Sequence, residues 1–174
     1  MALSSAAVAR VHEVFGLFFL LVLTDELRRL ARGDHRPTGP VLPATFVVAG
    51  VGMWAATVFA TDAAEYVVHS VWADLLLVMG GVEWARRSGR LRSRVAPYAV
   101  PVGIAVGGAL FFTHLHSSVF TSMSARWHAM MGAALVAGGI LAVLVEAAGS
   151  RGLARYLPEL PLAGFVVLLL TYPS

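Results

Sequence analysis

The chain has 174 residues, of which 58% are hydrophobic and 13% charged, and its mean hydropathy is +0.76. Soluble domains are typically about 45–50% apolar and about 25% charged, so this composition excludes an ordinary soluble domain. The formal net charge is +3, and all of the basic residues counted in it are arginines. The absence of cysteine excludes disulfides, thiolate metal sites and thiol nucleophiles.

Apolar segments rich in alanine, leucine, valine and glycine follow one another along the chain, without the alternation typical of barrel strands. In a bilayer the backbone polar groups are satisfied within helices. The sequence therefore predicts an all-α polytopic transmembrane bundle of about six spans, forming a single domain over residues 1–174. The predicted segments are about Ala6–Leu27, Ala44–Thr61, Tyr66–Trp84, Pro97–His116, Trp127–Ala148 and Leu160–Tyr172.

Three of these segments carry further expectations. The first is expected to be a retained helix rather than a signal peptide, because Arg28 and Arg29 follow its apolar run. Pro101 is expected to kink the fourth segment near its start. The sixth is the shortest, and either a tilted helix or a re-entrant one fits its length.

Arginines are concentrated in the loops after the first, third and fifth segments. These loops carry eleven of the thirteen, namely Arg28, Arg29, Arg32, Arg36, Arg86, Arg87, Arg90, Arg92, Arg94, Arg151 and Arg155. The opposite side carries only Arg10 and Arg126. Since cytoplasmic loops are enriched in basic residues, this pattern predicts a multi-pass plasma (inner) membrane protein with both termini on the outer side. The basic balance thus indicates topology, with no nucleic-acid partner.

Histidine is unevenly distributed over this topology. His12, His69, His114, His116 and His128 all fall at the outer ends of predicted segments, whereas His35 falls in a cytoplasmic loop. Ionisable residues inside spans are candidates for function. The common depth predicts a shared metal or haem site, with unlinked interfacial histidines as the alternative. Its predicted cofactor-binding residues are His12, His69, His114 and His128.

Helical spacing orders the candidate ligands around this site. Gly103, Gly107, Leu110 and His114 share one stripe, which is expected to face the bundle. His116 lies two positions further on, and it joins the site only if the helix unwinds there. Otherwise His116 is expected to be solvated, or to contact a metal ligand without binding the metal itself.

Two further residues complete the predicted metal set. Met131 lies one turn after His128, and its thioether would suit Cu(I), although packing is the usual role of methionine. Glu65 lies one turn before His69 and could orient its imidazole. The alternative for Glu65 is a favourable charge at a helix N-terminus.

Asp74 lies near the middle of the third segment. An intramembrane carboxylate is costly and needs a reason. One interpretation is a structural partner, for which Thr57 is a candidate. The other is a relay for protons or ions.

The run His69-Ser70-Val71-Trp72, which opens a helix that ends in Met79-Gly80-Gly81, resembles the copper resistance protein D family. The resemblance extends over the third to fifth segments. It implies copper handling at the outer face, with His69, His114 and His128 as the matching positions.

Three functions are therefore expected in order of preference. The first is copper binding, uptake or resistance, with the metal ion arriving from the outer side. The second is b-type haem binding for electron transfer, with one outer haem, since the inner half of the spans offers no histidine. The third is a ligand-free subunit of a membrane complex; other membrane subunits or a homo-oligomer are expected partners besides the bilayer. The Gly-x-Ser-x-Gly, phosphate-loop, dinucleotide and His-Glu-x-x-His motifs are absent.

Overall fold

Six α-helices make up the fold in the computed structural model, which describes residues 5–33, 39–59, 63–113, 122–150 and 152–173. They are α1 (Ser5–Ala31), α2 (Val41–Ala56), α3 (Ala63–Arg87), α4 (Ala99–Thr113), α5 (Ser122–Ala147) and α6 (Glu159–Leu170). Short 3₁₀ turns cover Thr57–Phe59, Ala96–Tyr98 and Gly152–Tyr156. The all-α class predicted from the sequence is confirmed.

Within the described ranges, four helical stretches are long and apolar enough to cross a membrane. They are Ala63–Arg87, Ala96–Thr113, Met123–Ala147 and Gly152–Leu170. The shorter apolar helix Val41–Ala56 is the second in the chain. A polytopic membrane protein is the class that these helices indicate.

The helix bounds differ from the sequence prediction where polar residues extend a helix past its apolar run. Glu65, just before the predicted third segment, lies in the first turn of α3, and Arg126, just before the predicted fifth segment, lies within α5. Pro101 lies in the first turn of α4, which directly continues the 3₁₀ turn Ala96–Tyr98. The kink expected near Pro101 stays a prediction.

Glycines end the three helices that precede the arginine-rich loops. Gly33, Gly89 and Gly149 follow α1, α3 and α5 with φ of 75°, 74° and 56°. This left-handed conformation lets the last carbonyls accept hydrogen bonds as the chain turns away. The amide of Gly89, for example, donates to the carbonyl of Arg86 at 3.1 Å.

The helices form a closed ring in chain order. Each helix contacts the next one along the chain, and α6 contacts α1. We call the end at which α1, α3 and α5 begin the histidine end, and the end at which they finish the arginine end. One buried cluster, with Trp72, Phe111, Met131 and Phe165, lies toward the histidine end. A second, with Leu42, Phe46 and Met79, lies toward the arginine end.

Glycines bring α4 and α5 into backbone contact. A Cβ added at Gly139 would lie 2.6 Å from both the Ala105 nitrogen and the Pro101 oxygen. One added at Gly108 would lie 2.7 Å from the Val136 nitrogen and 2.8 Å from the Gly132 oxygen. Since apolar burial gives helices little reason to associate in lipid, such close approach is a principal source of their attraction.

We expect Gly139→Ala to destabilise the bundle by about 1–3 kcal/mol, because the added methyl would push two backbones apart. Gly164→Ala is the matched control, since a Cβ there would meet no atom of the described residues within 4 Å. Denaturant unfolding in mild detergent measures both variants. Equal stability of the two would contradict the close α4–α5 contact.

Candidate functional site at the histidine end

Two histidines from α1 and α5 meet at the histidine end. The ring centroids of His12 and His128 are 5.6 Å apart, with the rings nearly perpendicular at 87°. Tyr172, just after α6, stacks on His12 at 3.8 Å and contacts the edge of His128 at 5.5 Å. The side chains of Tyr172 and Ser124 are also hydrogen-bonded. Three helices are thus joined by one group of rings.

Both histidines are oriented in the same way by their own helices. The Nδ1 atom of His12 lies 2.8 Å from the Val8 carbonyl oxygen, and that of His128 lies 2.8 Å from the Ser124 carbonyl oxygen. A carbonyl oxygen only accepts hydrogen bonds, so Nδ1 is the donor in each ring. In a neutral imidazole the lone pair then belongs to Nε2.

His69 on α3 lies beside this pair. Its ring centroid is 5.7 Å from that of Trp72, and His69 is close enough to His12 to interact with it electrostatically. Glu65, one helical turn before His69, interacts electrostatically with it. Trp72 in turn donates its indole N–H to the Gly107 carbonyl at 3.0 Å, which joins α3 to α4.

The remaining predicted metal ligands are His114, His116 and Met131. His114 and His116 lie outside the described residues. Phe111, three positions before His114, contacts His128 with a centroid distance of 5.7 Å. Met131 is fully buried in the core beside Trp72, Phe111 and Phe165. Among the described residues, no group of three or more histidine, aspartate or glutamate side chains is arranged to hold a metal ion.

An ion-pair network lies at the arginine end. From the sequence, its arginines were used only to predict the orientation in the membrane. Arg87 donates to Glu83 at 2.7 Å, to Glu26 of α1 at 3.2 Å and to the Gly39 carbonyl at 2.6 Å. The side chains of Arg87 and Glu83 are only 6% and 5% exposed. Arg86 also pairs with Glu83, at 2.6 Å. The periodicity of Glu83, Arg86 and Arg87 on one helix could have indicated the local pairs, but not the contact with α1.

A cavity of about 600 Å³ opens between this network and the middle of the bundle. Its charged lining residues include Glu26, Glu83 and Glu159. Its apolar lining includes Leu135 and Phe165, which also belong to the buried cluster at the histidine end. An apolar layer therefore lies between the cavity and the His12–His128 pair.

Asp74 lies on the outside of the ring. Its side chain is exposed and accepts a hydrogen bond from the indole N–H of Trp54 at 3.1 Å. The expected partner Thr57 was wrong, because its hydroxyl donates instead to the Trp54 carbonyl at 2.7 Å. Asp74 is not among the residues that line the cavity.

Comparison with known proteins gave no match to a family model, to a curated protein or to a solved structure. The resemblance of the His69–Gly81 run to the copper resistance protein D family stays a prediction.

We expect Arg87→Gln to lower the free energy of unfolding by about 2–3 kcal/mol. The change removes buried, charge-assisted contacts, while Glu83 and Glu26 each keep another arginine partner. Arg90→Gln is the control, since Arg90 is exposed, and its effect should stay within about 0.5 kcal/mol. Denaturant unfolding in mild detergent distinguishes them. If Arg87→Gln unfolds like the control, the network does not hold α1 to α3.

Proposed function

We propose that this protein is an integral membrane protein that binds a copper ion at the outer face of the plasma membrane. The observation that carries the proposal is the His12–His128 pair, in which two helices bring imidazoles to a centroid distance of 5.6 Å. A metal ion bonds to imidazole nitrogen at about 2.0–2.1 Å, so two imidazoles that share an ion have centroids roughly 6 Å apart.

The hydrogen bonds of the pair support this assignment. Histidines that bind metals usually donate their second ring N–H to a carboxylate or a backbone carbonyl, which fixes the tautomer and the ring orientation. His12 and His128 have this arrangement through the carbonyls of Val8 and Ser124. Nε2 of each ring is then the nitrogen that we propose binds the copper ion.

The choice of copper rests on the donor set. Imidazoles suit copper, zinc and iron, and among divalent ions of the first row copper binds such ligands most tightly. The chain contains no thiolate that would favour another site. Two imidazoles leave room in the coordination sphere. His69, His114 and His116 are the proposed additional ligands, and Glu65 is proposed to orient His69.

The position of the His12–His128 pair favours binding of a copper ion at the outer face over transport of the ion across the membrane. The apolar layer below the pair includes Met131, Leu135 and Phe165, and among these three side chains the thioether of Met131 is the one group with a ligand atom for copper. Asp74, the candidate relay for protons or ions, is exposed on the outside of the ring of helices. We therefore propose binding, with a role in copper uptake or resistance, rather than a continuous path through this chain.

Metal analysis of the purified protein tests the site. We expect about one copper per chain, and we expect His12→Ala and His128→Ala each to weaken copper binding at least about tenfold, since each removes a ligand. His35→Ala should bind like the parent chain. Thermal unfolding of each variant without metal shows whether it remains folded.

Three results would contradict this site. Copper bound equally by all the variants would place it elsewhere in the chain. A Soret absorption band would identify haem instead, and a folded protein with neither ligand would favour a structural subunit of a membrane complex.

The six-span topology belongs to the same proposal. The distribution of eleven arginines on one side and two on the other supports an orientation with both termini outside and the histidine end at the outer face. A reporter that fluoresces only in the cytoplasm should be dark when fused after Ser174 and bright when inserted at Gly89. The reverse pattern would place the histidine pair on the cytoplasmic side.

A further inference from the structure

Three phenylalanine rings line the cavity between the ion-pair network and the middle of the bundle. They belong to Phe19 of α1, Phe46 of α2 and Phe165 of α6. The ring centroid of Phe19 lies 6.3 Å from that of Phe46 and 5.4 Å from that of Phe165, so the three rings form one cluster. The cavity volume of about 600 Å³ is typical of small-molecule sites, which are mostly apolar with a few polar groups. Aromatic rings attract organic cations, because the faces of the rings carry partial negative charge.

The same cavity is lined by a carboxyl group that has no hydrogen-bond donor among the described residues. Glu159, in the first turn of α6, is partly buried and makes no hydrogen bond or ion pair with any of them. Glu26 and Arg29 act on it only electrostatically, and with opposite signs. Glu159, Leu162 and Val166 follow the i, i+3, i+7 spacing of one helix face, and all three line the cavity. α6 therefore presents a carboxyl at the end of an apolar wall, where a counter-charge would stabilise it.

The arginines that line the cavity already have acceptors within the protein. Arg29, Arg86 and Arg87 each donate to a glutamate. Arg155 donates to the carbonyl of Leu30. The Nε atom of Arg155 has no acceptor among the described residues, but it is buried, so an occupant of the cavity cannot reach it. Each of the four arginines therefore has an acceptor, whereas the carboxyl on the wall of α6 has no donor, and this difference favours a cation as the occupant.

We propose that this cavity binds a small organic cation with an apolar body, such as a hydrophobic quaternary ammonium or phosphonium ion. The carboxylate of Glu159 supplies the counter-charge, and the three phenylalanine rings contact the apolar groups of the cation. Opposite charges attract more strongly in a cavity of low dielectric than in water, so the sign of the ligand's charge is expected to decide its affinity. The site is separate from the His12–His128 pair, and the proposal does not depend on copper binding or on the orientation in the membrane.

Two ions of the same shape and opposite charge test the proposal on the parent chain. Tetraphenylphosphonium is the cation and tetraphenylborate is the anion, and equilibrium dialysis in an uncharged detergent measures the binding of each. We expect saturable binding of about one tetraphenylphosphonium per chain. Tetraphenylborate should bind at least about tenfold more weakly, since it meets a carboxylate instead of a counter-charge. This comparison needs no substitution, so it does not depend on the folding of a variant.

Substitutions then test the two parts of the site. Glu159→Gln should weaken tetraphenylphosphonium binding at least about tenfold, because it removes the counter-charge and keeps the shape of the side chain. Phe19→Leu should weaken binding about threefold or more, because leucine is apolar but has no ring face. Glu13→Gln is the matched control, since Glu13 is exposed on α1 and is not among the residues that line the cavity. It should bind the cation like the parent chain.

Thermal unfolding shows which of these variants are folded. The proposal is overturned if the parent chain shows no saturable binding of tetraphenylphosphonium, or if it binds tetraphenylborate equally well. A folded Glu159→Gln or Phe19→Leu chain that binds the cation like the Glu13→Gln control overturns it too.

Discussion

Arg87 is held between two carboxylates and a backbone carbonyl, and this contact joins three parts of the chain at the arginine end. Its partners are Glu83 on its own helix, Glu26 on α1 and Gly39 ahead of α2. Helices in lipid lack the hydrophobic drive that assembles soluble bundles, so polar contacts and close packing decide how they associate. A nearly buried arginine with several acceptors fixes both the rotation and the depth of the helices that it touches. Arg155 adds to this end by donating to the carbonyl of Leu30, which brings the segment before α6 against α1.

The opposite end is held by rings and indoles instead of ion pairs. Tyr172 stacks on His12, and Trp127 of α5 donates to the Leu168 carbonyl of α6 at 2.9 Å. The first contact joins the end of α6 to α1, and the second joins α5 to α6. Because His12 and His128 come from helices that meet through α6, their separation depends on this closure. The geometry that makes them candidate ligands is therefore a property of the closed ring and of neither helix alone.

The two ends leave a layered interior. Rings with nitrogen donors lie at the histidine end, and an apolar layer follows. A cavity of about 600 Å³, lined by both apolar and charged residues, lies toward the arginine end. The layer separates the imidazoles at the histidine end from the carboxylates and guanidinium groups that line the cavity. Asp74 lies outside this axis, on the face between α2 and α3. Asp74 therefore belongs to the outer surface of the ring and not to its interior.

The sequence by itself determined the class of the protein, the positions of the helices and the common level of His12, His69 and His128, because hydropathy and the order of segments are local properties. The spacing of Glu65 and His69 on one helix is also a local property. The sequence assigned His12 and His128 to one predicted site, but it did not predict their contact with Tyr172, the hydrogen bond from Trp54 to Asp74, or the link between Arg87 and Glu26. Helices that are apolar on every side give no sequence signal for the direction in which a given side chain points. That direction was decided by the tertiary structure, through the close packing at glycines and the few polar groups that had to find partners within the bundle.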